Sequence, residues 1–307
     1  MEIRPAYPTL VGGAHVCGYR NNTYNQNRAA NRSDTAKGMV DMKLGVIGAG
    51  NMATALVRGV RKAGVVAAGD LFVSDLDETK IEQMRALGVS AGTDNAAVLQ
   101  NAEVVLFAVK PDVYPKVLAQ AAAMAGAADR LYISIAPGIA IADIEKHFSA
   151  PVRVIRTMPN TPAMVGEGMT MLCGGGAACE ADFAAAEAIF GAVGRTARLP
   201  EKLMDAAVAL NGSSPAYVYL FIEAMADAAV GGGIPRALAY EAAAQSVLGS
   251  AKMVLETGLH PGALKDMVCS PAGTTIEAVK VLEEKGFRSA VIAAMDACTE
   301  KTRKMGK

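Results

Sequence analysis

Two stretches of the chain combine residue types and spacings that suit the binding of charged small molecules. The first is Lys43–Leu56, an apolar run that continues into Gly48-x-Gly50-x-x-Ala53. This is the small-residue form of the dinucleotide fingerprint: Gly48 permits a tight turn, Gly50 lets a pyrophosphate approach the backbone, and Ala53 allows helix and strand to pack closely. Free N–H groups at the helix start attract phosphate. The predicted pyrophosphate contacts are Gly48, Ala49, Gly50, Asn51 and Met52.

The second stretch is a polar turn, Ser270-Pro-Ala-Gly-Thr-Thr275, which feeds a helical pattern. Free backbone N–H groups at Gly273, Thr274 and Thr275 would hold a carboxylate. The hydroxyl groups of Ser270 and Thr275 lie at the same point of the turn. An ordinary helix N-cap explains these residue types equally well, because Ser and Thr favour that position anyway.

Ser74 and Asp75 end the second predicted strand, where the adenosine ribose of a dinucleotide should lie. An aspartate at this point would accept a hydrogen bond from a 2′-OH and repel a 2′-phosphate. Ser74, Thr93, Asn95 or an arginine could instead receive a 2′-phosphate, and Asp75 could be a solvated turn residue. The sequence therefore leaves both NADH and NADPH open as cofactors.

Three later strand ends are predicted to meet in the same cleft, because ligands collect at the carboxyl ends of parallel strands. A Pro-Gly turn at 137–138 would bring backbone close to the nicotinamide, and two prolines fix the loop around Asn160, whose amide can bond a ligand. Any one of these ends alone is merely a break between strand and loop. The predicted cofactor contacts here are Ala108, Val109, Lys110, Pro111, Ala136, Pro137, Gly138 and Asn160.

Short apolar runs alternate with helical patterns from residue 43 to about 200, and only helical patterns follow. The alternation predicts an α/β fold, a Rossmann-type doubly wound parallel sheet, followed by an all-helical dimerisation domain. We expect a dinucleotide-binding domain at 42–201 and a helical substrate and dimerisation domain at 202–307. Residues 1–41 are rich in Asn and lack periodicity, so we expect a disordered extension there.

The helical patterns between residues 203 and 256 are apolar on more than one face. A helix that is apolar all round must be buried. In a small helical domain this favours a partner subunit, and the alternative is one large internal core.

Composition excludes several classes of protein. The chain has 307 residues, and its 30 Lys and Arg balance 30 Asp and Glu, which argues against nucleic-acid binding. No apolar run is as long as the roughly 18 residues that a membrane span needs. The five cysteines are scattered without a metal-type pair, which predicts no metal site and reduced thiols in a cytoplasmic protein.

Taken together, the motifs resemble those of pyrroline-5-carboxylate reductase over essentially residues 42–305. This family performs the last step of proline synthesis, the reduction of 1-pyrroline-5-carboxylate to L-proline by hydride transfer from NADPH or NADH. The motifs that carry the resemblance are Gly48–Ala53, Ala108–Pro111, Met158–Pro162, Gly212–Tyr217, His260–Asp266 and Ser270–Thr275.

The resemblance implies roles for the residues of the second turn. A hydroxyl at the position of Thr275 meets the ring nitrogen of the substrate, which makes Thr275 the predicted catalytic residue. Backbone N–H groups of the turn hold the substrate carboxylate, and the predicted substrate-binding residues are Ser270, Gly273, Thr274, Val268 and Cys269. The resemblance also implies a homodimer through the helical domain, with active sites at the interface, and pentamers of dimers as a further assembly.

The chain departs from the family pattern at three places. Many members carry a second glycine where this chain has Ala272, and a positive φ there would cost stability. Asn211 stands where members commonly have Ser. Asp75 departs from the Ser-rich loop of many NADPH-using members, so cofactor preference stays open.

Two other functions fit the same layout. A 3-hydroxyacid dehydrogenase would need a lysine or histidine as acid and base, and Lys252 or Lys265 would have to serve. A non-catalytic NAD(P)-binding regulator would keep the fold without the second turn. The reduction of an imine needs no strong protein acid, because the imine can enter already protonated, and this agrees with the scarcity of histidine in the chain.

Overall fold

The structure, a computed structural model, describes residues 42–305. The extension expected at residues 1–41 lies outside the described residues. Eight strands in the described range form one sheet in the order β3-β2-β1-β4-β5-β6-β7-β8. They are β1 (Leu44–Ile47), β2 (Leu71–Ser74), β3 (Ser90–Gly92), β4 (Val104–Phe107), β5 (Leu131–Ser134), β6 (Arg153–Met158), β7 (Gly168–Gly174) and β8 (Gly194–Arg198).

The order places β1 beside β4, the point at which the winding of the sheet reverses. Strands β1 to β6 are parallel, in agreement with the predicted doubly wound fold. Strand β7 pairs antiparallel with β6, so β7 and β8 run opposite to the others. The short strand β3 was not predicted, because Ser-Ala-Gly carries no side chain that favours a strand.

Six helices cover the two faces of the sheet: α1 (Asn51–Ala63), α2 (Glu78–Ala86), α3 (Asn95–Asn101), α4 (Tyr114–Ala122), α5 (Ile141–Glu145) and α6 (Glu180–Gly191). Short 3-10 helices lie at Ala68–Asp70, Pro111–Val113, Ala127–Asp129, Thr161–Val165 and Glu201–Leu203. One apolar core lies under α1 and α6, and a second lies under α3 and α4. The central strands are buried on both sides, which is why they read as continuous apolar runs.

Helices alone continue from residue 201 to 305. They are α7 (Met204–Ala207), α8 (Ser214–Gly231), α9 (Arg236–Thr257), α10 (Pro261–Val268), α11 (Thr274–Glu284) and α12 (Phe287–Met305). A π-helix, Val208–Gly212, joins α7 to α8. None of the helices in the described range has the length and apolar character of a membrane span.

The second half of the chain exposes much of its apolar surface. Helices α8 and α9 pack against each other, yet each buries only two residues, Pro215 and Ala226 in α8 and Ala239 and Ala243 in α9. The exposed large side chains of α8 and α9 are Val218, Tyr219, Leu220, Phe221, Leu238, Tyr240, Leu248, Met253 and Leu255. The alternative of one large internal core is therefore wrong for the described residues.

Candidate functional site

The turn after β1 has the geometry that its glycine pattern predicts. Gly48 has a φ of +103°, in the region that favours glycine, and its N–H donates to the carbonyl of Ser74 at 2.7 Å. A Cβ on Gly48 would lie 2.5 Å from the carbonyl oxygen of Ala108. Only glycine therefore fits where β1 and β4 end side by side.

The start of α1 offers free hydrogen-bond donors next to this turn. Gly50 is the N-cap and no side chain caps the helix, so the N–H groups of its first turn are left for a ligand. A Cβ on Gly50 would meet no atom within 4 Å. A pocket of about 370 Å³ opens beside it, lined by Ala49, Gly50, Asn51, Thr54, Ala55, Arg58, Lys80, Gln83 and Met164. These residues fit a phosphate-bearing cofactor. Met52, the last of the predicted pyrophosphate contacts, is half-buried and does not line this pocket.

Asp75 is bonded into the same loop. Its Oδ2 accepts the N–H of Ala49 at 2.7 Å, its Oδ1 accepts the N–H of Asp77 at 3.0 Å, and Lys80 Nζ lies 3.5 Å away. Burial opposes ionisation of the carboxyl, but the two N–H donors and the Lys80 ammonium outweigh it and lower the pKa of Asp75. The group is therefore an anion at neutral pH, beside the position predicted for the ribose.

Ser74 and Asn95, both predicted cofactor contacts, bond to each other. The hydroxyl of fully buried Ser74 donates to Asn95 Oδ1 at 2.7 Å, and Asn95 Nδ2 donates to Gln120 Oε1 at 2.8 Å. Both groups therefore have partners within the chain, and their contact with a cofactor stays a prediction.

The ends of β4 and β5 are joined by a buried network that sequence reasoning missed. Tyr114 Oη donates to the carbonyl of Phe107 at 3.0 Å and lies 2.8 Å from Ser134 Oγ. Ser134 Oγ also accepts the N–H of Ala136 at 3.3 Å. Burial raises the pKa of Tyr114, so the phenol stays protonated. An apolar helix position gives no sign of such a role, because the bond depends on two strands that are distant in sequence.

This network sets the positions of two predicted contact segments. Ala136 is buried, and Gly138 has a φ of +75°, which gives the predicted turn after β5. Ala108 and Val109 are half-buried after β4, and Pro111 is exposed. Lys110 is also exposed, and its ammonium has no partner within the described part of the chain.

Asn160 follows β6 at the same edge and is 9% exposed. Its Oδ1 accepts the N–H of Met169 at 2.8 Å, which leaves Nδ2 as the donor for a ligand. Asn211, in the π-helix, donates from Nδ2 to the carbonyls of Met158 at 2.7 Å and Met169 at 2.9 Å. The sequence marked Asn211 only as a departure from a pattern.

A second pocket, of about 250 Å³, connects the sheet edge to the helical half. Its lining residues are Pro137, Gly138, Val208, Ser213, Cys298, Lys301 and Thr302. The predicted turn at 137–138 thus lies against the π-helix and α12.

The turn at 270–275 lies elsewhere, on an exposed part of the helical half. Gly273 is the N-cap of α11, without a side-chain cap, so the N–H groups of Thr274 and Thr275 are left for a ligand. The N–H of Gly273 was predicted to be free, and this is wrong: it donates to the carbonyl of Ser270 at 3.0 Å, because the turn closes on itself. Two of the three predicted donors remain.

The other members of the predicted substrate set are arranged around this turn. Ser270 and Thr274 are exposed, and Thr275 is half-buried. Val268 is exposed at the end of α10, and Cys269 is half-buried. Ala272 has a φ of +54°, the left-handed conformation that the missing glycine would favour. Neither of the two pockets described above includes a residue of this turn.

Comparison with known families matches two parts of the chain. Residues 201–305 match the family described as pyrroline-5-carboxylate reductase dimerisation. Residues 43–138 match the family described as NADP oxidoreductase, coenzyme F420-dependent.

Relatives and solved structures match most of the chain. A pyrroline-5-carboxylate reductase of Escherichia coli strain K12 is 47% identical over 269 residues, 87% of this chain and all of that protein. One of Methanosarcina acetivorans is 43% identical, over 88% of this chain and all of that protein. The Plasmodium falciparum pyrroline carboxylate reductase with NADP bound matches with a TM-score of 0.79 and 32% identity, over 88% of this chain and all of that chain.

Proposed function

This chain belongs to the pyrroline-5-carboxylate reductase family, and we propose that it reduces 1-pyrroline-5-carboxylate to L-proline. The observation that carries the proposal is the pairing, in one chain, of the glycine turn at Gly48–Gly50 with an uncapped helix start at Thr274 and Thr275. The first suits a dinucleotide and the second suits a small carboxylate.

The sheet edge holds the cofactor. First-turn N–H groups of α1 bind the pyrophosphate over Gly48 and Gly50, and Asp75 lies at the adenosine ribose. The strand ends at 108–111 and 136–138 and the amide of Asn160 face the nicotinamide half. When bound, the reduced nicotinamide supplies the hydride. These residues fit both NADH and NADPH, and Asp75 is the position that decides between them.

The turn at 270–275 holds the substrate. N–H groups of Thr274 and Thr275 bind its carboxylate, Ser270 and Gly273 shape the turn, and Val268 and Cys269 flank it. The hydroxyl of Thr275 bonds the ring nitrogen. A carboxylate at a helix N-terminus is favoured by the free donors and by the helix dipole.

Reduction of the bound imine depends more on the orientation of the substrate than on an acid supplied by the protein. The imine enters protonated at nitrogen, so C5 is already electrophilic and no protein group has to donate a proton. Thr275 holds the nitrogen and the N–H groups hold the carboxylate, which fixes C5 against the cofactor site.

A homodimer completes the site. The exposed apolar faces of α8 and α9 are too large to stay in water on a folded monomer, and a second copy of the chain covers them. The substrate turn that meets each cofactor site then comes from the partner subunit. We propose domain limits of 42–201 and 202–307 for these two roles, pentamers of dimers as the further assembly, and a cytoplasmic location.

The dehydrogenase alternative lacks a suitable lysine. Lys265 pairs with Asp266 at 2.5 Å, and this bond raises the pKa of the ammonium, away from the neutral range that an acid and base needs. Lys252 is exposed on α9. The family match likewise gives no support to a non-catalytic regulator.

The test is the oxidation of NADPH and of NADH by the purified protein with 1-pyrroline-5-carboxylate, followed at the absorbance of the reduced nicotinamide. Turnover with at least one cofactor, and proline as product, is expected. A protein that binds a cofactor but gives no turnover with either would contradict the proposal and favour the regulator.

A further inference from the structure

Asn211 occupies an unusual position for a buried polar side chain. It lies in the π-helix Val208–Gly212, at the junction of the sheet and the helical half, and is 4% exposed. The N–H of Ser213 reaches back to the carbonyl of Val208 at 2.8 Å, which is the wide turn of this helix type. Such turns are rare and are frequently found at functional sites.

The amide of Asn211 is oriented by two acceptors. Its Nδ2 donates to the carbonyls of Met158 and Met169, at 2.7 and 2.9 Å. The reverse orientation would place Oδ1 against two carbonyl oxygens, so the assignment of the two amide atoms is unambiguous. In this orientation Oδ1 is buried and accepts no hydrogen bond from the described residues.

An unpaired buried acceptor is unfavourable for stability. A gain in stability therefore does not explain why an asparagine is buried here. The segments that its two N–H groups bond give another reason. Met158 ends β6 two residues before Asn160, and Met169 lies in β7. Both segments border the loop that carries Asn160.

The peptide groups of Met169 link the two asparagines. The N–H of Met169 donates to Asn160 Oδ1 at 2.8 Å, and its carbonyl accepts from Asn211. One residue of β7 is thus held from both sides. Asn160 is turned so that its Oδ1 is occupied and its Nδ2 is the donor that remains.

We propose that Asn211 is a positioning residue for the nicotinamide end of the cofactor site. It acts through Met158 and Met169 to fix the amide of Asn160, so that Asn160 Nδ2 presents a hydrogen-bond donor at the sheet edge. The π-helix places Asn211 for this task and, through Val208 and Ser213, also lies against the turn at 137–138. The inference rests on the proposed function, since it assigns that edge to the nicotinamide.

The test compares Asn211→Ala, Asn211→Ser and a matched control, Asn101→Ala. Asn101 also donates from Nδ2 to a backbone carbonyl, that of Ala97 at 2.8 Å, but at an exposed position of helix α3. Alanine removes both donors of Asn211, and serine keeps one. The order of turnover should be wild type, then serine, then alanine, with the control equal to wild type.

A positioning role and a structural role give different results. For Asn211→Ala we expect kcat to fall about 10- to 100-fold, because a misplaced reacting group slows transfer steeply. The dissociation constant of NADPH should change less than about threefold, because the phosphate contacts are remote from the change. Transfer of deuteride from C4-deuterated cofactor should show a larger isotope effect on kcat than in wild type.

A readout independent of turnover is the fluorescence lifetime of the bound reduced nicotinamide, which should differ from wild type in Asn211→Ala and match wild type in Asn101→Ala. Unchanged kcat and lifetime, or a loss of kcat that follows cofactor affinity alone, would overturn the proposal. If Asn211→Ala does not fold, Asn211→Ser decides by the same measurements. No turnover by wild type would refute the proposed function, and the lifetimes would still decide the role of Asn211.

Discussion

The glycine turn in the sheet half and the polar turn in the helical half are held in different ways. At the glycine turn, the N–H of Gly48 donates to the carbonyl of Ser74 and the N–H of Ala49 donates to the carboxylate of Asp75. Strand β1, which leads into this turn, is buried. At the polar turn, Ser270 and Thr274 are exposed to solvent. They belong to the helical half, where many large apolar side chains are also exposed. From this difference we expect a single chain to build the proposed cofactor site, whereas the proposed substrate turn needs a second copy. Five predictions test this difference.

The largest effect is expected from placing a charge on the exposed face of α8. Leu220, which is 65% exposed, becomes buried in the proposed dimer, so Leu220→Glu would put an unpaired carboxylate in the interface. We expect a monomer by light scattering and a loss of turnover of about 100-fold or more. Cofactor binding should survive, because that site lies within one chain. Ala119→Glu, at an exposed position of α4, is the control. A dimer of normal mass would show that this face is not the interface.

Thr275→Ala should depress turnover by about 100-fold, because it removes the hydroxyl that we propose holds the ring nitrogen. The dissociation constant of the cofactor should not change, and Thr275→Ser should restore most of the rate. Thr79→Ala is a matched control, since Thr79 occupies the same second position of helix α2 and is exposed. Stopped-flow measurement of nicotinamide oxidation gives both quantities. A normal rate in Thr275→Ala would remove this residue from the mechanism.

Gly50→Ala separates ligand binding from folding. A Cβ at residue 50 meets no atom of the chain, so the thermal midpoint should move by no more than about 2 °C. Affinity for NADPH should fall about 10-fold, because the methyl group occupies the space through which a pyrophosphate approaches. Gly69→Ala, with equal free space at the opposite end of β2, is the control. Calorimetric titration measures the affinity, and an unchanged value would place the phosphates elsewhere.

Asp75→Ser should raise the ratio of kcat/KM for NADPH over NADH by about 10-fold, because it removes an anion that repels a 2′-phosphate. Asp77→Ser is the control, because Asp77 carries the same charge in the same loop but caps α2. It should leave the ratio of kcat/KM close to that of wild type. Steady-state kinetics with both cofactors checks this. The same ratio of kcat/KM in wild type and Asp75→Ser would show that Asp75 is only a turn residue and does not select the cofactor.

The smallest effect concerns the substrate turn itself. Ala272→Gly should stabilise the protein by about 0.5–1 kcal/mol, because relief of the left-handed strain exceeds the added freedom of the unfolded chain. Ala263→Gly, in the first turn of α10, should destabilise it, by up to about 1 kcal/mol. Denaturant titration compares the two. A destabilised Ala272→Gly would mean that the turn is not strained at this residue.

Much of the fold was predictable because its signals are local. Buried parallel strands read as continuous apolar runs, as in β1 and β4. The direction of β7 is not a local property. The connection from Met158 to Gly168 is shorter than the dozen or so residues that a parallel crossover needs, so β7 turns back.

The amino-acid sequence alone is enough to identify the residues that must be small or polar at each turn. Gly48 could be identified because a tight turn and a close neighbour exclude any side chain, and the helix start at Thr274 because its residue types are those of a cap. Which N–H donors remain free at the second turn depends on how the turn folds, since the N–H of Gly273 bonds within it.

Tertiary structure alone also brought Tyr114 to Ser134 and Asn211 to Met158 and Met169. Hydrogen bonds between residues 20 to 53 positions apart leave no pattern in a single sequence, because any buried polar side chain could make them. The same reason separates the two turns: each could be found from its own residues, but whether one chain or two brings them together depends on the surface that folding leaves exposed.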